Sequence, residues 1–181
     1  MGKGVKIGIT GLPGSGKSQA LIKVIEMLEA DNIVVGGMVT GAIIEENQRV
    51  GVFVKDWTTK EQGVMAHINS TSKINIDGFG VDISELDRVG VKAINTAVDN
   101  AEVIVIDEVG RMEVESANFV ATVKKAMETT KPIILTLHKK SRNPLLQDIR
   151  RRDDLRILEV TPINRNILPY KIIKLLRGEC L

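Results

Sequence analysis

The sequence has little cysteine, few aromatic residues and no long apolar run. Its one cysteine, Cys180, stands next to the last residue, so no internal disulfide can form and we expect a tail thiol rather than a catalytic nucleophile. No apolar run approaches the ~20 residues that a membrane helix needs. Residues 1–6 also lack the apolar segment and cleavage site of a secretory signal. We therefore expect a cytoplasmic protein with no membrane partner.

The chain also lacks a strong net charge, which is only +2. Basic residues nevertheless outnumber acidic ones after Lys131, with clusters in 139–142 and 150–152. These clusters fit either a solvated surface or a positive lid over phosphates. A nucleic-acid partner is disfavoured by the small net charge but stays open. The residues do not reveal the oligomeric state, for which a monomer is the expectation.

Aliphatic residues and an alternation of strands with helices are what the sequence does contain. Its 181 residues, 43% hydrophobic, fit a single α/β domain over 1–181. The patterns predict strands at 6–10, 33–35, 103–106, 132–137 and 156–160, and helices at about 17–30, 82–98, 114–129, 143–152 and 164–177. Residues 38–44 and 50–56 predict a β-hairpin, whereas 58–80 gives no clear pattern. Such alternation predicts a three-layer fold with a mainly parallel sheet and a hairpin elaboration.

A glycine-rich loop between the first strand and the first helix is the strongest motif. It has the Gly-x-x-x-x-Gly-Lys-Ser pattern of a phosphate-binding loop, in the strand-to-helix context that such a loop requires. Glycines let backbone N–H groups approach phosphate oxygens, and the helix N-terminus favours the same anion. Lys17 would reach the β- and γ-phosphates, and the Ser18 hydroxyl would bind Mg²⁺. The predicted nucleotide-binding residues here are Gly11, Leu12, Pro13, Gly14, Ser15, Gly16, Lys17, Ser18 and Gln19.

Two carboxylates follow the buried strand 103–106. Asp107 stands where a phosphate-loop protein places the aspartate that holds Mg²⁺, usually through water. Glu108 comes next, where a carboxylate can orient and deprotonate a water that attacks the γ-phosphate. Solvated carboxylates at a strand end are the alternative. With the loop upstream, we predict Lys17, Asp107 and Glu108 as catalytic residues, and Ser18 and Asp107 as magnesium ligands.

Other polar residues stand near predicted strand ends. Thr136 and His138 could contact the γ-phosphate or the water, although strand-end packing is the commoner fate. An arginine could stabilise the transition state, since a planar cation suits the charge on the γ-phosphate. The candidates are Arg111, Arg142 and Arg150. Arg165 follows the last strand, where the nucleotide base often rests. Trp57 and Tyr170 are expected to pack.

At this point the chain resembles the small nucleoside-triphosphatases of archaea and thermophilic bacteria, which are related to the human cancer-related nucleoside-triphosphatase. The resemblance covers nearly the whole chain. It rests on the phosphate loop, Gly36-Gly37-Met-Val-Thr40, Arg49-Val-Gly51, Gly78-Phe-Gly80-Val81, Asp107-Glu-Val-Gly-Arg-Met-Glu113, Asn143-Pro-Leu145 and Thr161-Pro-Ile-Asn-Arg165. The run that begins at Asp107 is more specific than the loop alone.

The resemblance implies a RecA-like, additional-strand phosphate-loop fold and slow Mg²⁺-dependent hydrolysis of several nucleoside triphosphates, ATP and GTP among them. It also implies roles for Glu113, Asn164 and Arg165, the last two in nucleotide binding. The sequence departs from the family pattern at Ala42, where an acidic residue is usual, and at Phe79, where tyrosine is common. Two other functions stay open: a nucleoside or nucleotide kinase, and a nucleotide-switched module that binds RNA or protein.

Overall fold

The computed structural model describes residues 4–179, so Cys180 lies outside the described residues. The strands are β1 Lys6–Gly11, β2 Val35–Glu45, β3 Gln48–Asp56, β4 Gln62–His67, β5 Asn75–Ile76, β6 Phe79–Val81, β7 Val103–Val109, β8 Ile133–His138 and β9 Leu155–Glu159. The helices are α1 Lys17–Ala30, α2 Ile83–Glu85, α3 Lys92–Asn100, α4 Ala117–Met127, α5 Pro144–Arg150 and α6 Leu168–Leu176. A π-helical stretch, Leu86–Val91, joins α2 to α3.

All nine strands form one sheet, in the order β5-β6-β4-β3-β2-β7-β8-β1-β9. The strands β2, β7, β8, β1 and β9 pair in parallel and form what we call the parallel half. The strands β3, β4, β6 and β5 pair antiparallel, from β2 outward, and form the antiparallel half. The sheet is therefore mixed, and the prediction of a mainly parallel sheet is wrong.

Tight turns explain the antiparallel half. Glu46 and Asn47 join β2 to β3 with φ values of 49° and 63°, the left-handed conformation of a two-residue hairpin turn. This hairpin confirms the one predicted over 38–56. Asp77 and Gly78, at φ 52° and 88°, make the same kind of turn between β5 and β6. The strands between 62 and 81 were not predicted, because β5 and β6 have only two and three residues and the polar segments between the strands obscure the pattern.

The parallel half places three functional strand ends side by side. β8 lies between β1, which leads into the phosphate loop, and β7, which ends in the acidic pair. Parallel strands end at the same edge of a sheet, where ligands of α/β proteins bind. The order of strands therefore brings the loop and the acidic pair to one edge.

Helices cover both faces of the sheet. Helices α1 and α6 pack with the buried side chains of one face, and α3, α4 and α5 pack on the other. The predicted helices all exist, although the last begins at Leu168 rather than 164. Asp82 caps α2, since its carboxylate accepts the Glu85 N–H at 3.1 Å. No helix within residues 4–179 is both long and apolar enough to cross a membrane.

Candidate functional site

A cleft of about 600 Å³ opens at the carboxyl edge of the parallel half. One wall is the phosphate loop and the ends of β7 and β8, and the other wall comes from β2, β3 and the β5–β6 hairpin. The lining residues are Leu12, Pro13, Gly14, Gly16, Lys17, Ser18, Gln19, Thr40, Gly41, Ala42, Arg49, Val52, Ile76, Asp77, Phe79, Asp107, Glu108, Arg111, Met112, Glu113, His138 and Arg165. Both halves of the sheet therefore contribute to one cleft.

The phosphate loop has the backbone that its glycines predict. Gly14 and Gly16 have φ values of 79° and 103°, which other residues rarely adopt. A Cβ on Gly11 would lie 2.5 Å from Ser15 Oγ, so this approach also requires glycine. Helix α1 begins at Lys17 and has no side-chain cap. Its first N–H groups are thus available to an anion at the helix N-terminus.

Lys17 faces the acidic pair across the cleft. Its Nζ donates to the Gly11 carbonyl at 3.0 Å and lies 3.6 Å from Glu108 Oε2. Both side chains are largely shielded, with exposed fractions of 13% and 26%. The loop and the strand end predicted to work together thus lie on the same side of the sheet, within contact distance.

Asp107 is a buried carboxylate with one free oxygen. Thr136 Oγ1 donates to its Oδ1 at 2.6 Å, whereas its Oδ2 has no hydrogen-bond partner among residues 4–179. Burial above all, opposed by the Thr136 and Ser18 hydroxyls and aided by the charge of Glu108, raises the pKa of Asp107 to about 6. A free carboxylate oxygen beside a serine hydroxyl is a donor set that suits Mg²⁺.

Two further carboxylates stand beside Asp107. The Asp107–Glu108 peptide bond is cis, and Glu108 Oε2 also has no hydrogen-bond partner among the described residues. Glu113 is buried, and its burial together with the charges of Glu108 and Asp107 raises its pKa well above the usual range. No cluster of three or more histidine, cysteine or acidic residues able to hold a metal occurs within 4–179. A metal here would thus depend on oxygens of the substrate and water as well.

The structure places some predicted residues in other roles. Thr136 is bonded to Asp107 and does not line the cleft, whereas His138 lines it and accepts the Ser141 N–H at 3.1 Å through Nδ1. Asn164 closes its own loop, because its side chain accepts from the Thr161 N–H and donates to the Glu159 carbonyl, both at 2.8 Å. Arg165 does reach the cleft, with its Cδ beside Gly16.

The basic segment 139–152 does not form a lid. Helix α5 packs its apolar side chains into the core, and no residue of the segment lines the cleft. Arg142 is exposed outside the cleft. Arg150 donates to the carbonyls of Ser141 at 2.6 Å and Lys139 at 3.1 Å. Trp57 and Tyr170 also lie outside the cleft.

Sequence reasoning missed the wall from the antiparallel half. Arg49 lies over the Phe79 ring, 5.4 Å from its centroid, and both line the cleft. Asp77, at the tip of the β5–β6 hairpin, reaches across to Arg111. The resemblance named motifs that contain Arg49 and Phe79 without placing them at the site, and the Asp-Gly pair at 77–78 is a further signal, since it favours a tight hairpin turn.

Comparison with known proteins agrees with this geometry. A family model described as NTPase matches residues 6–173. The nucleoside-triphosphatase THEP1 of Thermoplasma acidophilum is 39% identical over 175 residues, 97% of each chain. The nucleoside-triphosphatase THEP1 of Methanosarcina barkeri is 37% identical over 169 residues, which are 93% of this chain and 95% of that protein.

Two solved structures share the fold. The crystal structure of THEP1 from the hyperthermophile Aquifex aeolicus superposes with a TM-score of 0.83 at 29% identity, over 95% of this chain and 99% of that one. The solution structure of a human cancer-related nucleoside triphosphatase gives a TM-score of 0.82 at 25% identity, over 98% of this chain and all of that one.

Proposed function

Because this chain belongs to the nucleoside-triphosphatase family, we propose that it hydrolyses ATP, GTP and other nucleoside triphosphates to the diphosphate and phosphate, with Mg²⁺. We assign it to the RecA-like, additional-strand type of phosphate-loop domain, since β8 separates β1 from β7. One observation carries the proposal: the loop lysine lies 3.6 Å from Glu108 in a cleft that also holds Ser18 and the buried Asp107.

Magnesium would be held by Ser18 and Asp107, the latter directly or through water. The free Asp107 Oδ2 supports this assignment, because a buried carboxylate oxygen with no partner is costly unless a ligand satisfies it. When bound with the triphosphate, the ion would supply positive charge to the phosphate oxygens. Thr136 holds Asp107 in place by its hydroxyl.

The chain's own residues perform the remaining tasks. The N–H groups of the loop and the Lys17 ammonium bind the phosphates and balance the charge that grows on the leaving diphosphate. Glu108 orients a water and accepts its proton as the oxygen bonds to the γ-phosphorus and the bond to the β,γ-bridging oxygen breaks. Glu108 Oε2 lies 3.6 Å from Lys17 Nζ but accepts no hydrogen bond from residues 4–179, so it can take that proton.

Replacing Glu108 with glutamine tests the role of the carboxylate. We expect Glu108→Gln to lose about 10²- to 10⁴-fold in turnover, because glutamine cannot accept the proton. Phosphate release would be measured with each common triphosphate, with and without Mg²⁺ and without any acceptor. Triphosphate affinity should stay within about threefold of the wild type.

The matched control is Glu115→Gln, an exposed glutamate outside the cleft that follows the same strand. It should behave as the wild type. Normal turnover in Glu108→Gln would refute the general-base assignment. If no free phosphate is released and the γ-phosphoryl group appears instead on an added nucleoside or nucleotide acceptor, the protein is a kinase.

A further inference from the structure

Hydrolysis at this cleft needs more positive charge than Lys17 supplies. Three carboxylates, Asp107, Glu108 and Glu113, line the cleft beside the position of the γ-phosphate that the proposed function requires. Negative charge spreads over the γ-phosphoryl oxygens in the transition state. A planar guanidinium with several donors suits those oxygens better than a second ammonium would. The arginines near the cleft are therefore the candidates for this role.

Four of the arginines near the cleft are less well placed for this role. Arg150 uses its guanidinium to hold the carbonyls of the loop after β8, and Arg142 is outside the cleft. Arg165 lies against Gly16, at the start of α1. Arg49 lies over Phe79 on the opposite wall. None of these four follows the acidic pair on its own strand end.

Arg111 differs in its position. It stands three residues after Glu108, in the turn that follows β7, and it lines the cleft together with Lys17. Burial is the main cause that lowers the pKa of His138, and the charges of Lys17, Arg111 and Arg150 lower it further against that of Glu108, so Arg111 lies within electrostatic reach of the cleft. The guanidinium therefore acts on groups at the same strand ends that hold the acidic pair.

Asp77 holds Arg111 in a way that leaves donors free. Nη1 of Arg111 donates to both Asp77 oxygens, at 2.9 and 2.8 Å. Nη2 and Nε make no hydrogen bond with any residue between 4 and 179. The pair is exposed, 48% and 63%, so it contributes little to stability. An anchor of this kind orients the guanidinium and keeps two of its nitrogens available to phosphoryl oxygens.

We propose that Arg111 is the transition-state arginine, supplied by the chain itself, and that Asp77 of the β5–β6 hairpin is its positioning residue. Nη2 and Nε of Arg111 would donate hydrogen bonds to the γ-phosphoryl oxygens. This inference rests on the proposed hydrolysis. It gives the antiparallel half a direct part in the reaction, through the ion pair between Asp77 and Arg111.

Arg111→Ala should lower turnover by about a hundredfold or more, since arginines in this role contribute large factors. Affinity for a non-hydrolysable triphosphate should stay within about threefold. Arg111→Lys should not restore turnover, because an ammonium lacks the planar fork. Arg142→Ala, an exposed arginine outside the cleft, is the matched control and should be unaffected.

A second readout does not depend on turnover. The wild type should trap a fluorescent nucleoside diphosphate with aluminium fluoride and Mg²⁺, a mimic of the transferring phosphoryl group, and Arg111→Ala should not trap it. Retention after gel filtration measures the trapping. If Arg111→Ala keeps turnover within about threefold, or traps the diphosphate normally, the proposal is overturned.

Asp77→Asn tests the positioning role, with asparagine chosen because it tolerates the left-handed turn. It should lower turnover about two- to fivefold in the wild type and have no effect in the Arg111→Ala background. If Asp77→Asn lowered turnover equally in the wild type and in the Arg111→Ala background, Asp77 would not act through Arg111. These failures differ from failure of the hydrolysis itself, which would show as a wild type that releases no phosphate.

Discussion

The two halves of the sheet serve one cleft in different ways. The parallel half places the phosphate loop, Lys17 and the acidic pair on adjacent strand ends. The antiparallel half supplies the facing wall, through Arg49, Phe79 and the hairpin that carries Asp77. In the proposed function, the first half holds the groups that contact phosphate and water, whereas the second shapes the cleft and orients one arginine. Chemistry and positioning thus come from different parts of one sheet.

The same contrast appears in two buried aspartates. Asp107, in the parallel half, has one carboxylate oxygen without a partner. Asp56, at the end of β3, is also buried, but its Oδ1 accepts the N–H groups of Thr58 and Thr59 at 2.8 and 3.1 Å. Within residues 4–179, Asp107 thus has an oxygen open to a ligand, whereas Asp56 is hydrogen-bonded by the chain itself.

Among the effects that compare the two halves, the largest concerns the loop lysine. Lys17→Ala should lose about 10²- to 10³-fold in turnover, because a preorganised donor to the phosphates is removed. The assay is phosphate release, paired with triphosphate binding, which should also weaken. Lys23→Ala, on the exposed face of the same helix, is the control. A small effect of Lys17→Ala would mean that the parallel half does not carry the chemistry.

The second effect is on stability in the absence of ligand. The folded pKa of Asp107 is about 6 against 3.8 in the unfolded chain, so the folded state binds the proton more tightly. Below the unfolded pKa the buried carboxyl group costs the folded state no stability. Once pH exceeds the folded pKa, its ionisation lowers the free energy of unfolding by about 3 kcal/mol. Asp107→Asn should therefore stabilise the ligand-free protein by up to that amount at neutral pH, and progressively less as pH falls between the two values.

Urea unfolding at a series of pH values measures the difference in stability between Asp107→Asn and the wild type. The control is Asp99→Asn, at an exposed position. Asp56→Asn should instead destabilise the protein by about 1 kcal/mol, because its two N–H donors would then bond to a neutral amide oxygen rather than to a carboxylate. If both variants destabilise equally, the contrast between the two aspartates is wrong.

The sequence was informative where apolar runs are long. The β-branched run that forms β7 and the glycine pattern after β1 were enough to predict both elements and to place Lys17 and Asp107 at strand ends. The antiparallel half was not predicted beyond its first hairpin, because β5 and β6 have only two and three residues. Their pairing depends on partners distant in sequence, which a local pattern does not reveal.

The site shows the same division. Residues in the loop and acidic pair were predicted from spacing alone. Two hydrogen-bond arrangements depend on the exact placement of side chains: the bond from Thr136 to Asp107 and the bonds by which Asn164 closes its own loop. Residue types alone do not specify that placement. The wall formed by Arg49 and Phe79 required the fold itself.

The smallest expected effect is in that wall. Arg49→Ala should remove a cation–π contact worth about 0.5–1 kcal/mol and change turnover by less than about threefold. Thermal unfolding and phosphate release measure the two quantities. A loss of turnover comparable with that of Lys17→Ala would show that the antiparallel half contacts the reacting phosphates through Arg49.

The central claim is that the phosphate loop and the acidic pair act on one triphosphate. A crystal structure of Glu108→Gln with Mg²⁺ and ATP tests it most directly, since this variant should bind without hydrolysing. We expect an intact triphosphate along the loop, its terminal phosphate beside Lys17, and an ion shared by Ser18 and Asp107. A triphosphate bound away from the loop, or an ion that contacts neither of those two residues, would contradict the account.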